Sequence, residues 1–362
     1  MTVALLRRAS ALSAFACVAT QLDALIGAFD LGAQALLVHT VFSTLCGRTL
    51  DFPLGGRPAV PSRLNQDGVS VQFATAVGPH PPELRFVSDP GALSGNAGMR
   101  MSAARAAARA TAGLIGVEAE LTALSSLLLE LAPSHTALRA DQPGAFWVGA
   151  AFAPGAAPRL RIYLNGAWGS PTAQRARLRR FAAYFDRAEA WDEIAAQFPP
   201  TLEPLGLALT LSAGGGVRGA IYLRAFGLRV SDYVFLANAA SGPSNAQRLH
   251  AFGAALLGAD AAHPTSSAVL SLSCGSEPGL STDLEFCAHC LYADDAVAQL
   301  ELERLFASER LDPTPYRTLA SVFAPPAPRP GPPRLHSFIG VDAKSAGPAY
   351  TVYVKPDLTA PL

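Results

Sequence analysis

Hydrophobic and polar residues alternate in pairs of short segments, and stretches of helical periodicity separate these pairs. In "PRLRIYLNG", Leu160, Ile162 and Leu164 alternate with Arg161 and Tyr163. Side chains two positions apart in a strand share a face, so one face of this segment is apolar and the other carries Arg and Tyr. The segment "VRGAIYLRAF" repeats the arrangement. These segments predict β-hairpins with an apolar back and a cationic, aromatic front.

Five hairpins of this kind are predicted, and helices lie between them. Their strand pairs are "GVSVQFATAV" with "ELRFVSD", "AFWVGAAFA" with "RLRIYLNG", "LGLALTLSA" with "VRGAIYLRAF", "AVLSLSCG" with "TDLEFCAHCL", and "LHSFIGVD" with "AYTVYVKP". Short connections favour antiparallel pairing, and pairing of the last hairpin with the first removes both sheet edges. The predicted fold class is therefore α/β: one barrel of ten antiparallel strands around a polar, solvent-filled lumen, coated by helices.

We assign residues 1–362 to a single domain. Residues 1–55 form an N-terminal helical segment, and 324–333 form a Pro-rich linker before the closing hairpin. A signal peptide is a conceivable alternative for "MTVALLRRASALSAFACVATQ", but its apolar run is short and alanine-rich. Helical patterning also continues beyond it, which favours a helix of the mature protein.

Composition limits the classes of partner. The chain has 28 basic and 28 acidic residues, and its basic residues are scattered, so no nucleic-acid partner is expected. No uncharged apolar run clearly reaches the length of about 20 residues that a membrane span needs, so no membrane partner is expected. Five cysteines without regular spacing do not form a disulfide framework, which favours the cytoplasm.

Alternation places a set of polar and aromatic side chains in the lumen. This set comprises Gln72, Arg85, Arg161, Tyr163, Arg218, Tyr222, Arg224, Asp283, Glu285, His336 and one or both of Tyr350 and Tyr353. Several arginines in one cavity need anions, because burying unpaired charge is costly. Their partners are either carboxylates such as Asp283, Glu285 or Asp89, or a bound diphosphate, which guanidinium groups bind in bidentate fashion. The negative π-faces of tyrosine rings beside the arginines can stabilise a carbocation and exclude water from it. A molecule that carries a diphosphate and leaves a carbocation when the diphosphate departs is a prenyl donor.

Four segments resemble the aromatic prenyltransferases of the dimethylallyltryptophan synthase type, which have the ABBA fold of repeated α-β-β-α units. They are "SRLNQDGVSVQFATAVGPHPPELRFVSDPG", "PRLRIYLNG", "VRGAIYL" and "RLHSFIGVDAKSAGPAYTVYVKP". They are similar, in order, to the family's first strand pair, its Lys-x-Tyr strand, its Arg-x-Lys-x-Tyr strand and its closing hairpin. The resemblance spans roughly residues 55–357.

The resemblance implies roles for individual residues. Arg85, Arg161 and Arg218 correspond to diphosphate-binding positions. Tyr163 and Tyr222 correspond to the tyrosine shield of the allyl cation. In the last hairpin, Tyr350 and Tyr353 are both candidates for that shield.

Two positions depart from the family pattern. The acidic residue of the first strand, which orients the indole N–H and takes a proton, falls on Gln72, and a glutamine is not a useful base. Glu285 and His336 are the candidate substitutes. The second-repeat lysine falls on Ala220, and Arg224 is the candidate to replace its charge.

Other motifs add no chemistry. Cys287 and Cys290 form one C-x-x-C pair without a second matching pair, so no metal site is expected. Asp294 and Asp295 do not form an Asp-Asp-x-x-Asp motif and are expected to begin a helix. No cofactor is expected.

The sequence therefore predicts a metal-independent prenyltransferase that moves a prenyl group, dimethylallyl in the first instance, from its diphosphate to an indole or another electron-rich aromatic ring. Two alternatives stay open. The barrel could bind a small molecule without reacting it, because the acid and the lysine are both replaced. It could also prenylate a ribosomal peptide rather than a free metabolite.

Overall fold

The fold is described from a computed structural model. It covers residues 12–132, 146–214, 216–258, 261–262, 264, 268–275, 280–324, 331–342 and 349–358. The predicted Pro-rich linker is described only at its ends, since 325–330 lie outside these ranges.

One closed sheet of ten strands forms the centre of the molecule. The strands are β1 (Val71–Val77), β2 (Leu84–Ser88), β3 (Phe146–Phe152), β4 (Arg159–Asn165), β5 (Leu202–Ser212), β6 (Gly216–Ala225), β7 (Ala268–Cys274), β8 (Ser281–Cys287), β9 (His336–Asp342) and β10 (Tyr350–Val354). Each strand pairs antiparallel with its sequence neighbours, and β1 pairs with β10 to close the barrel. The predicted barrel and the predicted closing pair are both confirmed.

Helices surround the barrel in the order that the sequence predicts. They are α1 (Ala14–Ala28), α2 (Ala35–Cys46), α3 (Ala97–Ile115), α4 (Glu118–Ala123), α5 (Ser125–Leu131), α6 (Pro171–Tyr184), α7 (Ala188–Ala195), α8 (Val230–Ser241), α9 (Pro243–Leu257), α10 (Ala288–Leu291), α11 (Asp295–Ser308) and α12 (Thr314–Phe323), with a 3₁₀ turn at Gly32–Gln34. No helix among the described ranges has both the length and the apolar character needed to cross a membrane.

Two local signals set the helix boundaries. Asp294 caps α11, because its side chain accepts a hydrogen bond of 2.9 Å from the backbone N–H of Val297. The expected helix start at Asp294 is thus confirmed. The chain between Ala97 and Leu131 forms three helices, and the first of them, α3, ends where Gly116 adopts a φ of +74°.

Alternation in β4 explains how the wall of the barrel is stabilised. Leu160, Ile162 and Leu164 are each at most 2% exposed and face the helical layer. Full burial of a side chain of this size contributes about 2 kcal/mol. Arg161 and Tyr163 are therefore directed to the opposite face, into the lumen.

Aromatic rings fill the space between the barrel and the helices. Phe73 of β1 lies 4.6 Å from Phe323 of α12, measured between ring centroids. Phe86 of β2 makes an edge contact with Phe42 of α2 at 5.6 Å and stacks on Phe152 of β3 at 5.9 Å. This core lies outside the barrel, so the lumen remains available for polar groups.

Helix α6 and its C-cap residue Phe185 pack tightly against the wall of the barrel at Gly219 of β6. A Cβ atom there would lie 2.5 Å from the ring of Phe185 and 2.8 Å from that of Phe181. Glycine at this position of the "VRGAIYL" strand therefore serves packing on the outer face.

A buried polar network holds the first residue of β9. His336 is 1% exposed, and its Nδ1 lies 2.9 Å from Asp295 while its Nε2 lies 2.9 Å from the hydroxyl of Tyr316. Asp295 also accepts hydrogen bonds from the backbone N–H groups of residues 334–336. Burial alone would raise the pKa of the Asp295 carboxyl, but these hydrogen bonds outweigh it and lower the pKa to about 2.

Asp295→Asn is expected to destabilise the fold in a pH-dependent way. A carboxyl whose pKa is lower in the folded protein contributes stability above its unfolded value of 3.8, and this contribution is lost as the pH falls towards 2. At pH 7 we expect a loss of about 1–2 kcal/mol in the free energy of unfolding, after allowance for solvent screening. Urea unfolding of both proteins between pH 7 and pH 2.5 measures this difference.

The control is Asp192→Asn, which removes a carboxylate from an exposed ion pair with Arg179 and should cost less than about 1 kcal/mol. If the difference in the free energy of unfolding between wild type and Asp295→Asn stays constant from pH 7 to pH 2.5, the stabilisation does not come from the ionised Asp295 carboxyl.

Candidate active site in the barrel lumen

The lumen contains a cavity of about 230 Å³ to which all ten strands contribute. Its charged and aromatic lining consists mainly of arginines, tyrosines and three carboxylates. The residues that line it include Gln72, Glu83, Arg85, Arg159, Arg161, Tyr163, Thr210, Arg218, Ala220, Tyr222, Ser271, Ser273, Asp283, Glu285, Thr351 and Tyr353.

Four arginines from three hairpins form the cationic group, which we call the arginine cradle: Arg85, Arg159, Arg161 and Arg218. Arg161 on β4 and Arg218 on β6 are both paired with Thr210 of the intervening strand β5. Strands two apart are separated by about 10 Å, so the two guanidinium groups can approach one anion from opposite sides. Arginines from separate hairpins thus line one cavity.

Glu83 neutralises part of the cradle. Its carboxylate, which is 7% exposed, forms ion pairs with Arg85 and with Arg159. Arg161 instead donates a hydrogen bond to the hydroxyl of Tyr222, and its Nε is buried without a partner. Within the described ranges, no ion pair to a carboxylate is found for Arg161 or Arg218. These two cations are therefore the part of the cradle that a diphosphate can use most directly.

Two tyrosines lie directly beside Arg161. Its guanidinium carbon is 5.1 Å from the ring centroid of Tyr163 and 5.9 Å from that of Tyr222. The two rings are 6.2 Å apart with an interplanar angle of 36°. Burial raises the pKa of Tyr163, so its phenol stays neutral near pH 7. Neutral ring faces that already contact one cation provide a surface for a second, transient one.

Glu285 lies on β8 and interacts with the third tyrosine of the lumen. The hydroxyl of Tyr353 donates a hydrogen bond of 2.6 Å to Glu285 Oε1. Burial raises the pKa of Glu285, while the hydrogen bond from Tyr353 and the charge of Arg161 act in the opposite direction. Two residues earlier, Asp283 accepts hydrogen bonds from Ser271 at 3.3 Å and Ser273 at 3.5 Å.

Gln72 of β1 also lines the lumen and is 5% exposed. Its amide nitrogen donates a hydrogen bond of 2.5 Å to the hydroxyl of Ser337. This contact fixes the donor end of the amide, so its oxygen is the group that can accept a hydrogen bond from a bound molecule.

His336 does not line the lumen, so its predicted orientation was wrong. Of Tyr350 and Tyr353, one or both of which were predicted to face the lumen, Tyr353 lines the cavity and Tyr350 does not. Between β9 and β10 the register shifts: Tyr353 pairs with Phe338, but Val354 pairs with His336. This β-bulge turns His336 outwards to Asp295 and brings the intervening Ser337 to Gln72.

Tyr350 packs into the helical layer, where its ring lies 5.6 Å from Phe252 and 5.9 Å from Phe306. It is three residues from Tyr353, and residues an odd number apart in a strand face opposite sides. Tyr353 is therefore the tyrosine that the last hairpin contributes to the lumen.

Arg224 is the third residue that the structure separates from the site. It shares the parity of Arg218 and Tyr222 but is exposed and is not among the residues that line the cavity. Six residues of strand separate it from Arg218, which corresponds to about 20 Å. It therefore does not replace the lysine missing at Ala220.

Arg159 and Glu83 line the site but were missed in the sequence analysis. Arg159 had a detectable signal, because it lies two residues before Arg161 and hence on the same face. Glu83 had none, since it precedes β2 in a hairpin connection where alternation does not apply.

Comparison of the sequence with protein-family models and with curated proteins gives no match. Solved structures, in contrast, match over nearly the whole chain. A 6-dimethylallyltryptophan synthase from Micromonospora olivasterospora, in complex with DMASPP and Trp, matches with a TM-score of 0.84 and 19% identity, over 96% of this chain and 98% of its own.

Two further structures show how widely this architecture is shared. A 5-dimethylallyltryptophan synthase from Streptomyces coelicolor matches with a TM-score of 0.80 and 20% identity, over 97% of this chain and 99% of its own. AnaPT from Neosartorya fischeri matches with a TM-score of 0.65 and 11% identity, over 93% and 91%. The resemblance inferred from four sequence segments is thereby confirmed as a likeness of fold: the chain has the ABBA barrel of the dimethylallyltryptophan synthases.

Proposed function

We propose that the protein transfers a prenyl group, dimethylallyl in the first instance, from its diphosphate to an indole or another electron-rich aromatic ring. One observation carries this proposal: the arginine cradle, two adjacent tyrosines and the partly buried carboxylate of Glu285 share one lumen. The three kinds of group correspond to the three charged species of the reaction: the arginines to the leaving diphosphate, the tyrosines to the allyl cation and the carboxylate to the released proton.

The arginine cradle would bind the diphosphate. The C–O bond between the prenyl carbon and the diphosphate breaks, and both bonding electrons leave with the diphosphate. Arg161, which is held by Tyr222, and Arg218 would stabilise the developing negative charge, which lowers the barrier to ionisation. Glu83 holds Arg85 and Arg159 in place before the donor arrives.

The tyrosines would protect the allyl cation. The faces of Tyr163 and Tyr222 offer negative electrostatic potential beside the cradle, and a closed lumen limits access of water. An aromatic carbon of the acceptor then forms the new C–C bond with two of its π electrons, which leaves a positively charged ring.

Glu285 would accept the proton that restores aromaticity. It is the candidate base that lies in the lumen, whereas His336 lies outside it. The oxygen of Gln72 would accept a hydrogen bond from the acceptor N–H without taking its proton. Two different residues would thus act on the acceptor: Glu285 would remove its proton and Gln72 would orient it.

The acceptor is proposed from the fold and from the chemistry of the lumen. Three of the matched structures are described as complexes with Trp, and two of these also hold DMASPP. An indole such as tryptophan, or a tryptophan-containing peptide, is accordingly the first acceptor to test. We further place the reaction in the cytoplasm, for which the support is that all five cysteines are free.

Incubation of the purified protein with dimethylallyl diphosphate and a panel of indoles is expected to give products heavier by one prenyl unit, together with inorganic pyrophosphate. Mass spectrometry of the acceptor and a pyrophosphate assay measure both. Geranyl diphosphate in a parallel reaction tests the chain length. Binding of the donors without any mass gain on any acceptor would contradict enzymatic transfer and support the small-molecule-binding alternative.

A further inference from the structure

Two cysteines and a histidine converge at the end of β8. Cys287 is the last residue of this strand, and His289 and Cys290 lie in the short helix α10 that follows. Their sulfur and nitrogen atoms all lie within 4.8 Å of one another. The sequence spacing alone is a weak indication of a metal site, but this convergence of three side chains adds geometric evidence.

The cluster is open to solvent on one side. Cysteine binds metal ions as the thiolate, so both sulfur atoms need to be reached by the ion. Cys287 is 5% exposed, whereas His289 and Cys290 are partly open to solvent, so an ion can enter from one side.

A second side chain orients the histidine. Nδ1 of His289 lies 2.7 Å from the sulfur of Cys287, and its Nε2 lies 2.5 Å from the amide nitrogen of Gln66. When Nδ1 binds the ion, Nε2 carries the proton, and a flip of the Gln66 amide would present its oxygen to accept a hydrogen bond from Nε2. A ligating histidine whose other ring nitrogen is hydrogen-bonded in this way is the usual arrangement in metal sites.

We propose that Cys287, His289 and Cys290 bind one Zn²⁺ ion, with water in the fourth position. Two sulfur ligands and one imidazole suit Zn²⁺, whereas Mg²⁺ and Ca²⁺ prefer oxygen ligands. Binding replaces the protons of the two thiols, so two protons are released for each ion bound when both start as thiols.

The position of the cluster indicates a structural role. Cys287 has the same parity on β8 as Glu285, so the ion would lie about 7 Å further along the strand. Gln66 belongs to the segment before β1, and its neighbour Asp67 forms an ion pair with Lys355, just after β10. The ion would therefore join the end of β8 to the segment that enters β1, at the side of the barrel where the sheet closes. This inference is independent of the proposed prenyl transfer.

The test is titration of the metal-free, reduced full-length protein with Zn²⁺ against a chromophoric chelator, and with Co²⁺ followed by absorption. We expect one Zn²⁺ per chain with a Kd below about 1 µM, and thiolate-to-metal absorption for Co²⁺. Cys290→Ser should abolish stoichiometric binding, and Gln66→Ala should weaken it about 10–100-fold. Cys17→Ser, which removes a partly exposed cysteine outside the cluster, is the matched control and should bind as wild type.

The proposal would be overturned, whatever the variants do, if the wild-type protein bound no Zn²⁺ when the ion is present at about 10 times the concentration of the chain. Binding that persists in folded Cys290→Ser would overturn it as well. If that variant does not fold, His289→Gln takes its place and must lose the site.

Discussion

Arg161→Ala is expected to lower kcat for prenyl transfer by about 10³-fold, because it removes a cation fixed beside the leaving group. Arg161 contacts both Tyr163 and Tyr222, so the variant also disrupts the surface that faces the allyl cation. Arg161→Lys keeps the charge but loses the planar fork, and we expect it to recover part of the lost rate. Steady-state kinetics with dimethylallyl diphosphate and the best acceptor measure these effects.

The matched control for this prediction is Arg224→Ala. Arg224 lies on the same face of β6 as Arg218 but outside the cavity, so its loss should change kcat by less than about twofold, as for other exposed surface substitutions. Calorimetric binding of inorganic pyrophosphate separates diphosphate binding from chemistry, and Arg161→Ala should weaken it. Equal losses of activity in folded Arg161→Ala and Arg224→Ala would contradict the cradle as the donor site.

Glu285→Gln is the second large effect, with an expected loss in the rate of prenylated product of about 10²–10⁴-fold. The amide keeps the size of the side chain and can still accept the hydrogen bond from Tyr353, but it cannot take a proton from the positively charged acceptor ring. Ionisation of the donor does not need this base. The variant should therefore still release pyrophosphate and divert the cation to water as a prenyl alcohol, and the ratio of alcohol to prenylated acceptor measures this.

Asp283→Asn is the control for the loss of charge, since it removes one carboxylate two residues away on the same strand face. Asp283 accepts hydrogen bonds from Ser271 and Ser273, whereas Tyr353 donates its hydrogen bond to Glu285, so we expect a loss of less than about 10-fold for Asp283→Asn. An unchanged ratio of prenylated acceptor to alcohol in Glu285→Gln would assign the proton transfer to another group.

Periodicity was sufficient to predict the barrel, because each strand alternates between an apolar wall and a polar lumen. Arg161, Tyr163 and Tyr222 lie where this alternation puts them. The same rule could not choose between Tyr350 and Tyr353 in the last hairpin, since their odd spacing places one on each face and only the pairing partners decide which faces inwards.

The errors arose where regular strand geometry ends. His336 lies beside a β-bulge, which a single sequence does not reveal and which reverses the orientation expected for this residue. Arg224 has the expected parity, but alternation does not tell how far along a strand the cavity extends. The ion pairs of Glu83 and the meeting of Gln66 with His289 join segments distant in sequence, so no local pattern could predict them.

The pairing of β1 with β10 also has a consequence for synthesis of the chain. Its partners Val77 and Tyr350 are 273 residues apart, so β1 leaves the ribosome long before the strand that covers its outer edge exists. At about 10 residues per second, the delay is roughly half a minute. During this time a strand with five apolar residues among its seven has backbone groups free to pair with another nascent chain, and we expect the emergence of β10 to decide between closure and aggregation.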